Sequence, residues 1–133
     1  MCGVRPAPLV ANHPTHMKRT FEDISADVRA WAEARKIIPN SNAASQAMKT
    51  LEEAGELLAA ATAMGIYQEA GQRSQAIAAK NEVMDAIGDV MVTLVNAAAL
   101  ANLNPVECFE WAYQQIKDRK GTLLPNGIFQ KEA

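Results

Sequence analysis

The sequence predicts an all-α fold, a four-helix bundle-like domain that oligomerisation completes. Of its 133 residues 49% are hydrophobic but only 5% are aromatic, and there are only seven glycines. A composition rich in alanine and aliphatic residues favours helices over sheets. Apolar residues also recur at helical spacing in four segments that are separated by capping or breaking residues. The length suits one domain, which we place at residues 20–133 after an irregular N-terminal arm over residues 1–19.

The first predicted helix runs from about Thr20 to Lys36, and a break around Pro39 follows it. The second predicted helix begins after Ser41 or Asn42, either of which suits an N-cap, and ends near Met64. The apolar stripe of the first helix consists of Phe21, Ile24, Val28 and Trp31. The positions expected to form the core side of the second helix are Ala44, Ala47, Met48, Leu51, Leu58 and Ala61.

A loop over residues 65–73, which could be helical in part, is predicted to lead into a third helix over about residues 74–102. Beyond Met84 this helix is apolar nearly all round, so it needs neighbours on several sides. Because one small chain with four helices struggles to supply them, we expect a homodimer or homotetramer. The stretch 86–103 is long enough to raise the question of a transmembrane helix, but an aspartate such as Asp89 in mid-bilayer costs roughly 3 kcal/mol. We therefore predict a buried helix of a soluble protein, with no membrane association.

The fourth predicted helix starts at Asn104-Pro105-Val106-Glu107, which offers Asn as N-cap, Pro at the first helical position and Glu at the third. It is predicted to continue to about Lys120, with Gly121 as its stop. The tail after it is predicted to be irregular or a small hairpin around Pro125-Asn126-Gly127, which would pair Leu123-Leu124 with Ile128-Phe129.

The charge and cysteine content narrow the functional classes. A net charge of −2 gives no basic surplus of the kind that nucleic-acid binders carry, so no nucleic-acid partner is expected. The two cysteines, Cys2 and Cys108, are too few and too far apart for a disulfide scaffold or a zinc site. The N-terminus lacks the features of a signal peptide, and a cytoplasmic location is expected.

Two acidic clusters at helical spacing lie within the most apolar segments. One is Lys49-x-x-Glu52-Glu53-x-x-Glu56, and the other is Glu82-x-x-Asp85-x-x-x-Asp89. At 100° per residue, each cluster falls on one helical face, about 100° wide for the first and about 60° for the second. Carboxylates gathered in this way resist burial unless a positive charge compensates them. Since all the ligands are oxygens, we predict Mg²⁺, with Mn²⁺ as a substitute.

Each of these features also has a structural explanation. An acidic helix face is often only solvated, but two aspartates one turn apart in an apolar helix favour a metal site. Lys49 either pairs with Glu53 or reaches a phosphate. Lys117 and Arg119 either stabilise the end of the fourth helix or contact a phosphate. Trp31 and Asn96 are either core residues or the walls of a nucleotide-base site.

The order and spacing of these motifs resemble the MazG-like all-α nucleoside triphosphate pyrophosphohydrolase superfamily, over roughly residues 21–131. The superfamily carries Glu-Glu-x-x-Glu on one helix and an acidic-x-x-Gly-Asp run on the next. The corresponding runs here are Glu52-Glu53-Ala54-Gly55-Glu56-Leu57 and Asp85-Ala86-Ile87-Gly88-Asp89-Val90, and the C-terminal runs 112–121 and 126–129 are similar to those of small, often phage-type members.

The resemblance implies a Mg²⁺-dependent cleavage between the α- and β-phosphates of a nucleoside triphosphate, which yields a monophosphate and pyrophosphate. It implies Glu53, Glu56 and Asp89 as metal ligands, and Glu52 as an extra ligand or general base. The family's second motif has Glu three residues before its final Asp, whereas Ala86 stands there in this chain. Asp85 is our choice for the missing carboxylate because it lies one turn before Asp89, with Glu82 as the other candidate.

The sequence thus predicts an enzyme that trims selected (d)NTPs from the nucleotide pool. The departure at Ala86 leaves one rival from another class, a non-catalytic helical oligomer that binds a nucleotide or a partner protein and regulates it.

Overall fold

The computed structural model describes residues 19–133, in which five helices and one two-stranded hairpin confirm the all-α class. The predicted arm lies outside the described residues except for Arg19. The elements are α1 (Phe21–Ala34), α2 (Ile37–Asn40), α3 (Ala43–Glu69), α4 (Arg73–Leu100), α5 (Pro105–Ile116), β1 (Gly121–Leu123) and β2 (Phe129–Lys131).

The two longest helices, α3 and α4, pack against each other along their length as an antiparallel pair. The hydroxyls of Thr50 and Thr93 meet at 2.8 Å, which fixes the register of the pair. On the other side of α4 lie α1, the short α2 and α5, and α5 also contacts α1. Within residues 19–133, α4 is the only helix or strand that packs against α3.

The predicted N-caps of α3 and α5 are confirmed, and α1 has an N-cap that was not predicted. Thr20 and Asp23 form a capping box at α1, where the threonine hydroxyl accepts from the Asp23 N–H at 3.0 Å. At α3, Asn42 Oδ1 accepts from the Ser45 N–H at 2.8 Å. Asn104 Oδ1 accepts from the first N–H groups of α5, with Pro105 at the first helical position. These side chains satisfy donors that a helix start leaves without partners.

The loop predicted over residues 65–73, which was expected to be helical in part, is mostly helix, because α3 continues through Gly65 to Glu69 and α4 begins at Arg73. The helix ends in a Schellman motif: the Gln72 N–H donates to Tyr67 O at 2.9 Å, the Gly71 N–H donates to Gln68 O at 3.2 Å, and Gly71 has φ +69°. The glycine that suggested a loop is therefore the residue just past the helix end. The polar residues before it remain helical.

Helix α4 also ends in a left-handed residue, which here is asparagine instead of glycine. Asn102 has φ +57°, and the Leu103 N–H donates to Ala98 O at 2.8 Å. Helix α5 ends at Ile116 rather than near Lys120, because the Lys120 carbonyl accepts from the Glu132 N–H and so extends the hairpin. The predicted hairpin is confirmed, with Leu123 paired to Phe129.

The predicted core side of α3 is wrong, and this is the largest difference between the predicted and the observed fold. Ala44, Ala47, Met48, Leu51 and Leu58 are exposed, and Ala61 is half-buried. On α1, Ile24 and Trp31 are also exposed. The apolar residues that are buried within residues 19–133 are almost all small: Ala32, Ala60, Ala79, Ala86, Val95 and Ala99. The spacing identified the apolar stripes correctly, but the described chain does not cover them.

By length and composition α4 could cross a membrane, since it contains an apolar window of 18 residues of which only 28% is buried. The core helix of a soluble protein passes the same test. The absence of membrane association therefore stays a prediction.

Candidate metal centre

The acidic face of α3 points toward α4 at the middle of the helix pair. Glu53 is fully buried there, with 0% of its surface exposed, although glutamate is among the residues least often buried without a partner. Glu56, one turn later, is half-buried. This placement follows from the helical repeat, because Glu53 shares its face with Ala60, the other buried residue of α3.

Asp89 of α4 completes a three-carboxylate cluster with these two glutamates. One carboxylate oxygen from each of Glu53, Glu56 and Asp89 lies within 4.8 Å of the others. Three oxygens on one octahedral Mg²⁺ at about 2.1 Å are at most about 4.2 Å apart. Small side-chain rotations would therefore bring the three oxygens onto a single ion.

Several oxygens of this cluster are buried without a hydrogen-bond donor. They are both carboxylate oxygens of Glu53 and Oδ2 of Asp89. Lys49 Nζ lies 3.5 Å from Glu53 Oε1, which is an ion-pair distance rather than a hydrogen bond, and it lies closer, at 3.0 Å, to Glu52 Oε1. Buried carboxylates normally have several donors or a cation. The cluster thus has ligand atoms to spare.

The pKa shifts also indicate that negative charge in the cluster is only partly compensated. Burial, followed by the charges of Glu56 and Asp89, raises the pKa of Glu53 above its ordinary value, while Lys49 opposes the shift. The pKa of Lys49 is raised chiefly by its hydrogen bond to Glu52. Because the ammonium is shared with an exposed carboxylate, it neutralises the cluster only in part. A divalent cation would supply the missing positive charge.

The other predicted acids lie beside this cluster. Glu52 is exposed on α3 and pairs with Lys49. Asp85 is half-buried on α4, one turn before Asp89, but its oxygens are not among those that converge within 4.8 Å. Glu82 is exposed one further turn back. Ala86, which stands where the family motif has glutamate, is buried.

Asn96 and Trp31 lie elsewhere on the helices that surround the cluster. Asn96 is buried two turns after Asp89, with 3% exposure, and its Oδ1 has no hydrogen-bond partner. Trp31 is on α1, where the Arg35 guanidinium stacks over its ring at 4.7 Å. The indole borders a cavity of about 350 Å³ together with Ile24, Val28 and Val92.

The structure does not bring the basic residues of the C-terminal region to the cluster within one chain. Lys117 is the C-cap of α5 and Arg119 follows it, and both are exposed. Helix α5 contacts α1 and α4 but has no contact with α3 in the part of the chain that the structure describes.

A hydroxyl pair next to the carboxylates was not predicted from the sequence. Thr93 is buried one turn after Asp89 and meets Thr50, the neighbour of Lys49, between the two helices. The sequence did contain an indication of this pair, because a threonine in a nearly all-apolar helix needs a polar partner.

Comparison with protein-family models, with curated proteins and with solved structures found no match to this chain. A functional assignment therefore depends on the geometry of the cluster and on the sequence motifs.

Proposed function

We propose that the protein is a Mg²⁺-dependent nucleoside triphosphate pyrophosphohydrolase of the MazG-like type. The observation that carries the proposal is the convergence of Glu53, Glu56 and Asp89 from two helices, with buried oxygens that lack donors. The motif order that resembles the superfamily supports the same interpretation. The reaction would cleave the bond between the α-phosphorus and the bridging oxygen, and release a nucleoside monophosphate and pyrophosphate.

In this proposal the three carboxylates hold Mg²⁺, and Mn²⁺ can replace it because both are hard cations that prefer oxygen. The ion would neutralise phosphate charge and make a bound water more acidic. Glu52, which is exposed and pairs with Lys49, would take a proton from the attacking water or serve as a further ligand. Asp85 is the preferred fourth carboxylate, since it is half-buried whereas Glu82 is exposed.

The residues proposed for the substrate surround the cluster at different distances. Lys49 lies beside the carboxylate cluster, and its ion pair with Glu52 could be replaced by one with a phosphate of the substrate. Trp31 would stack on the base at its cavity. Asn96 does not line that cavity, and its Oδ1, which has no hydrogen-bond partner, would bind another part of the nucleoside. Since α5 makes no contact with α3 of its own chain, Lys117 and Arg119 would contact the triphosphate from another subunit of a homotetramer. We propose a homodimer or homotetramer, located in the cytoplasm.

The test is pyrophosphate release from a panel of (d)NTPs, with Mg²⁺ and with EDTA. We expect turnover of at least one triphosphate, and its loss by a factor of about 100 or more in Glu53→Gln and in Asp89→Asn. Glu69→Gln, an exposed carboxylate on the same helix, is the matched control and should retain full activity.

Calorimetry distinguishes the rival function. If a nucleotide binds with Mg²⁺ but is not turned over by the folded wild type, the chain is a binding protein and the catalytic proposal is wrong. If folded wild type neither binds nor hydrolyses any triphosphate, the enzyme and the nucleotide-binding form of the rival are both excluded, which leaves a protein that binds a partner protein. Mn²⁺ in place of Mg²⁺ should support the same turnover.

A further inference from the structure

One face of α3 has the composition of a protein interface although no described element covers it. Over residues 47–66, this outer stripe lies within about 40° of the direction opposite Glu53 and consists of Met48, Leu51, Gly55, Leu58, Thr62 and Ile66. Ala44 before it and Glu69 after it point in the same direction. Leu51 is 75% exposed, Met48 73% and Leu58 69%. Thr62 is the only polar member, and a threonine hydroxyl within a helix can donate to a carbonyl of the preceding turn. Contiguous apolar surface of this kind on a folded chain marks an interaction site.

The charges of α3 show that the stripe is not a solvated face. Four of the five charged residues of the helix (Lys49, Glu52, Glu53 and Glu56) lie on the acidic face, and Glu69 lies at its C-terminal end. Over residues 43–68 the stripe itself therefore carries no charge. A helix face in water normally carries its charged residues, whereas the centre of a protein interface is depleted of them.

The stripe follows the seven-residue pattern of a packed helix pair. Its members are spaced three or four residues apart, as in the a and d positions of a coiled coil. A Cβ built on Gly55, or on Gly65 at the margin of the stripe, would meet no atom within 4 Å. These glycines therefore leave open depressions in the stripe, next to large exposed side chains.

The order of large and small residues along the stripe is self-complementary in the antiparallel direction. A two-fold axis between residues 56 and 57 would place each large residue of one α3 opposite a smaller residue of the other. The resulting pairs are Met48 with Gly65, Leu51 with Thr62, Leu58 with Gly55, and Ile66 with Ala47. A parallel pair would instead place Gly55 on Gly55, which leaves a gap at the centre of the stripe.

We propose that the outer stripe of α3 binds a second copy of this chain, with the two α3 helices antiparallel about a two-fold axis near residues 56 and 57. A two-fold interface must be self-complementary, and alternating large and small side chains provide close packing. Residues 19–133 bury no Leu, Ile, Phe or Met side chain in one chain, so the second copy also supplies the core that the monomer lacks. This interface does not depend on the proposed enzymatic activity.

Cysteine cross-linking tests the direction and register of the pair. In a Cys2→Ser/Cys108→Ser background, Leu51→Cys and Thr62→Cys chains with different tags are co-expressed and mildly oxidised. We expect a disulfide between the two different chains. Neither variant should cross-link with itself, because residues 51 and 51 of the two copies would be about 16 Å apart along the helix axis, as would residues 62 and 62, far beyond disulfide reach.

Gln68→Cys replaces Thr62→Cys in the matched control and should give no cross-link. A Leu51→Cys chain that cross-links only with itself would show a parallel pair and overturn the proposal. Absence of the mixed cross-link overturns it as well, whether or not the protein is oligomeric.

A second measurement uses light scattering across a range of protein concentrations. The wild type should be a dimer or a multiple of it, and Leu58→Glu should weaken association at least 100-fold, since Leu58 lies next to the axis. Gln68→Glu, an exposed residue off the stripe, should associate as the wild type does. A monomeric wild type, or a Leu58→Glu variant that associates normally, would contradict the assignment.

Discussion

Glu53 affects both the stability of the fold and the proposed metal binding. Its carboxylate is fully buried, and neither oxygen accepts a hydrogen bond. The sequence predicted that Glu53 and Glu56 share one face of their helix, because they lie about one turn apart. Whether the face is solvated or buried could not be predicted, since that depends on how closely α4 approaches.

Replacing Glu53 by glutamine should stabilise the protein in the absence of metal. Glu53→Gln removes a buried charge with incomplete compensation, and we expect a gain of about 1–3 kcal/mol at pH 7. Thermal unfolding in EDTA measures it. Added Mg²⁺ should raise the melting temperature of the wild type but not that of the variant, because the variant lacks a ligand. Equal responses to Mg²⁺ would contradict the metal assignment.

The gain should depend on pH in a defined direction. The pKa of Glu53 is raised above 4.5 in the folded chain, so the carboxyl is protonated in both folded and unfolded states well below pH 4.5. The charged form destabilises the fold progressively as the pH rises from about 4.5 through the raised pKa. The difference between variant and wild type should therefore be small near pH 4 and should grow as the pH rises. A difference that grows toward acid pH would contradict this sign.

The hydroxyl pair between the two long helices offers a second residue-scale prediction. Thr50 and Thr93 make three short contacts, to each other, to Gln46 O and to Val90 O, with two protons between them. Thr93→Val keeps the shape but removes one hydroxyl, and should destabilise the fold by about 1 kcal/mol in urea unfolding. Thr122→Val, at an exposed position, should be neutral. A neutral Thr93→Val would show that the pair contributes nothing.

At the scale of elements, the sequence predicted the ends of the helices better than it predicted which faces of the helices are buried. The N-caps of α1, α3 and α5 depend on one side chain and the next three residues, so local sequence suffices. The C-terminal end of α3 was placed too early because a glycine just past a helix resembles a glycine within a loop. The αL conformation of Gly71 and its two Schellman hydrogen bonds decide between them.

The cap of α3 gives the prediction at this scale. Asn42→Ala removes the acceptor of the Ser45 N–H, and should lower the free energy of unfolding by about 1 kcal/mol. Asn42→Asp retains an acceptor and adds a negative charge at a helix start, so it should be as stable as the wild type or more so. Chemical denaturation followed by circular dichroism compares the three proteins. Equal losses in Ala and Asp variants would show that the cap is not responsible.

At the scale of the whole molecule, residues 19–133 bury a core of alanine with one valine, and their Leu, Ile, Phe and Met side chains are all at least partly exposed. A core of this kind stabilises a domain of this size weakly, because the hydrophobic contribution scales with the apolar area removed from water. The proposed second copy would bury that area. The melting temperature of the wild type should therefore rise with protein concentration, by several degrees over a 100-fold range.

Differential scanning calorimetry at several concentrations measures this rise. Leu58→Glu should lose the concentration dependence, whereas Gln68→Glu should keep it. A wild type whose melting temperature is independent of concentration would show that one copy is stable by itself.

The sequence by itself determined the helical class, the caps, the C-terminal hairpin and the shared faces of the acids, because each depends on spacing or on a few neighbouring residues. Only the tertiary structure decided that Glu53, Glu56 and Asp89 converge while Asp85 is left out of their group, and that the stripe of Met48, Leu51 and Leu58 faces outward. The physical reason is that spacing defines the direction of a side chain around its own helix. Which neighbour lies in that direction depends on how the helices pack.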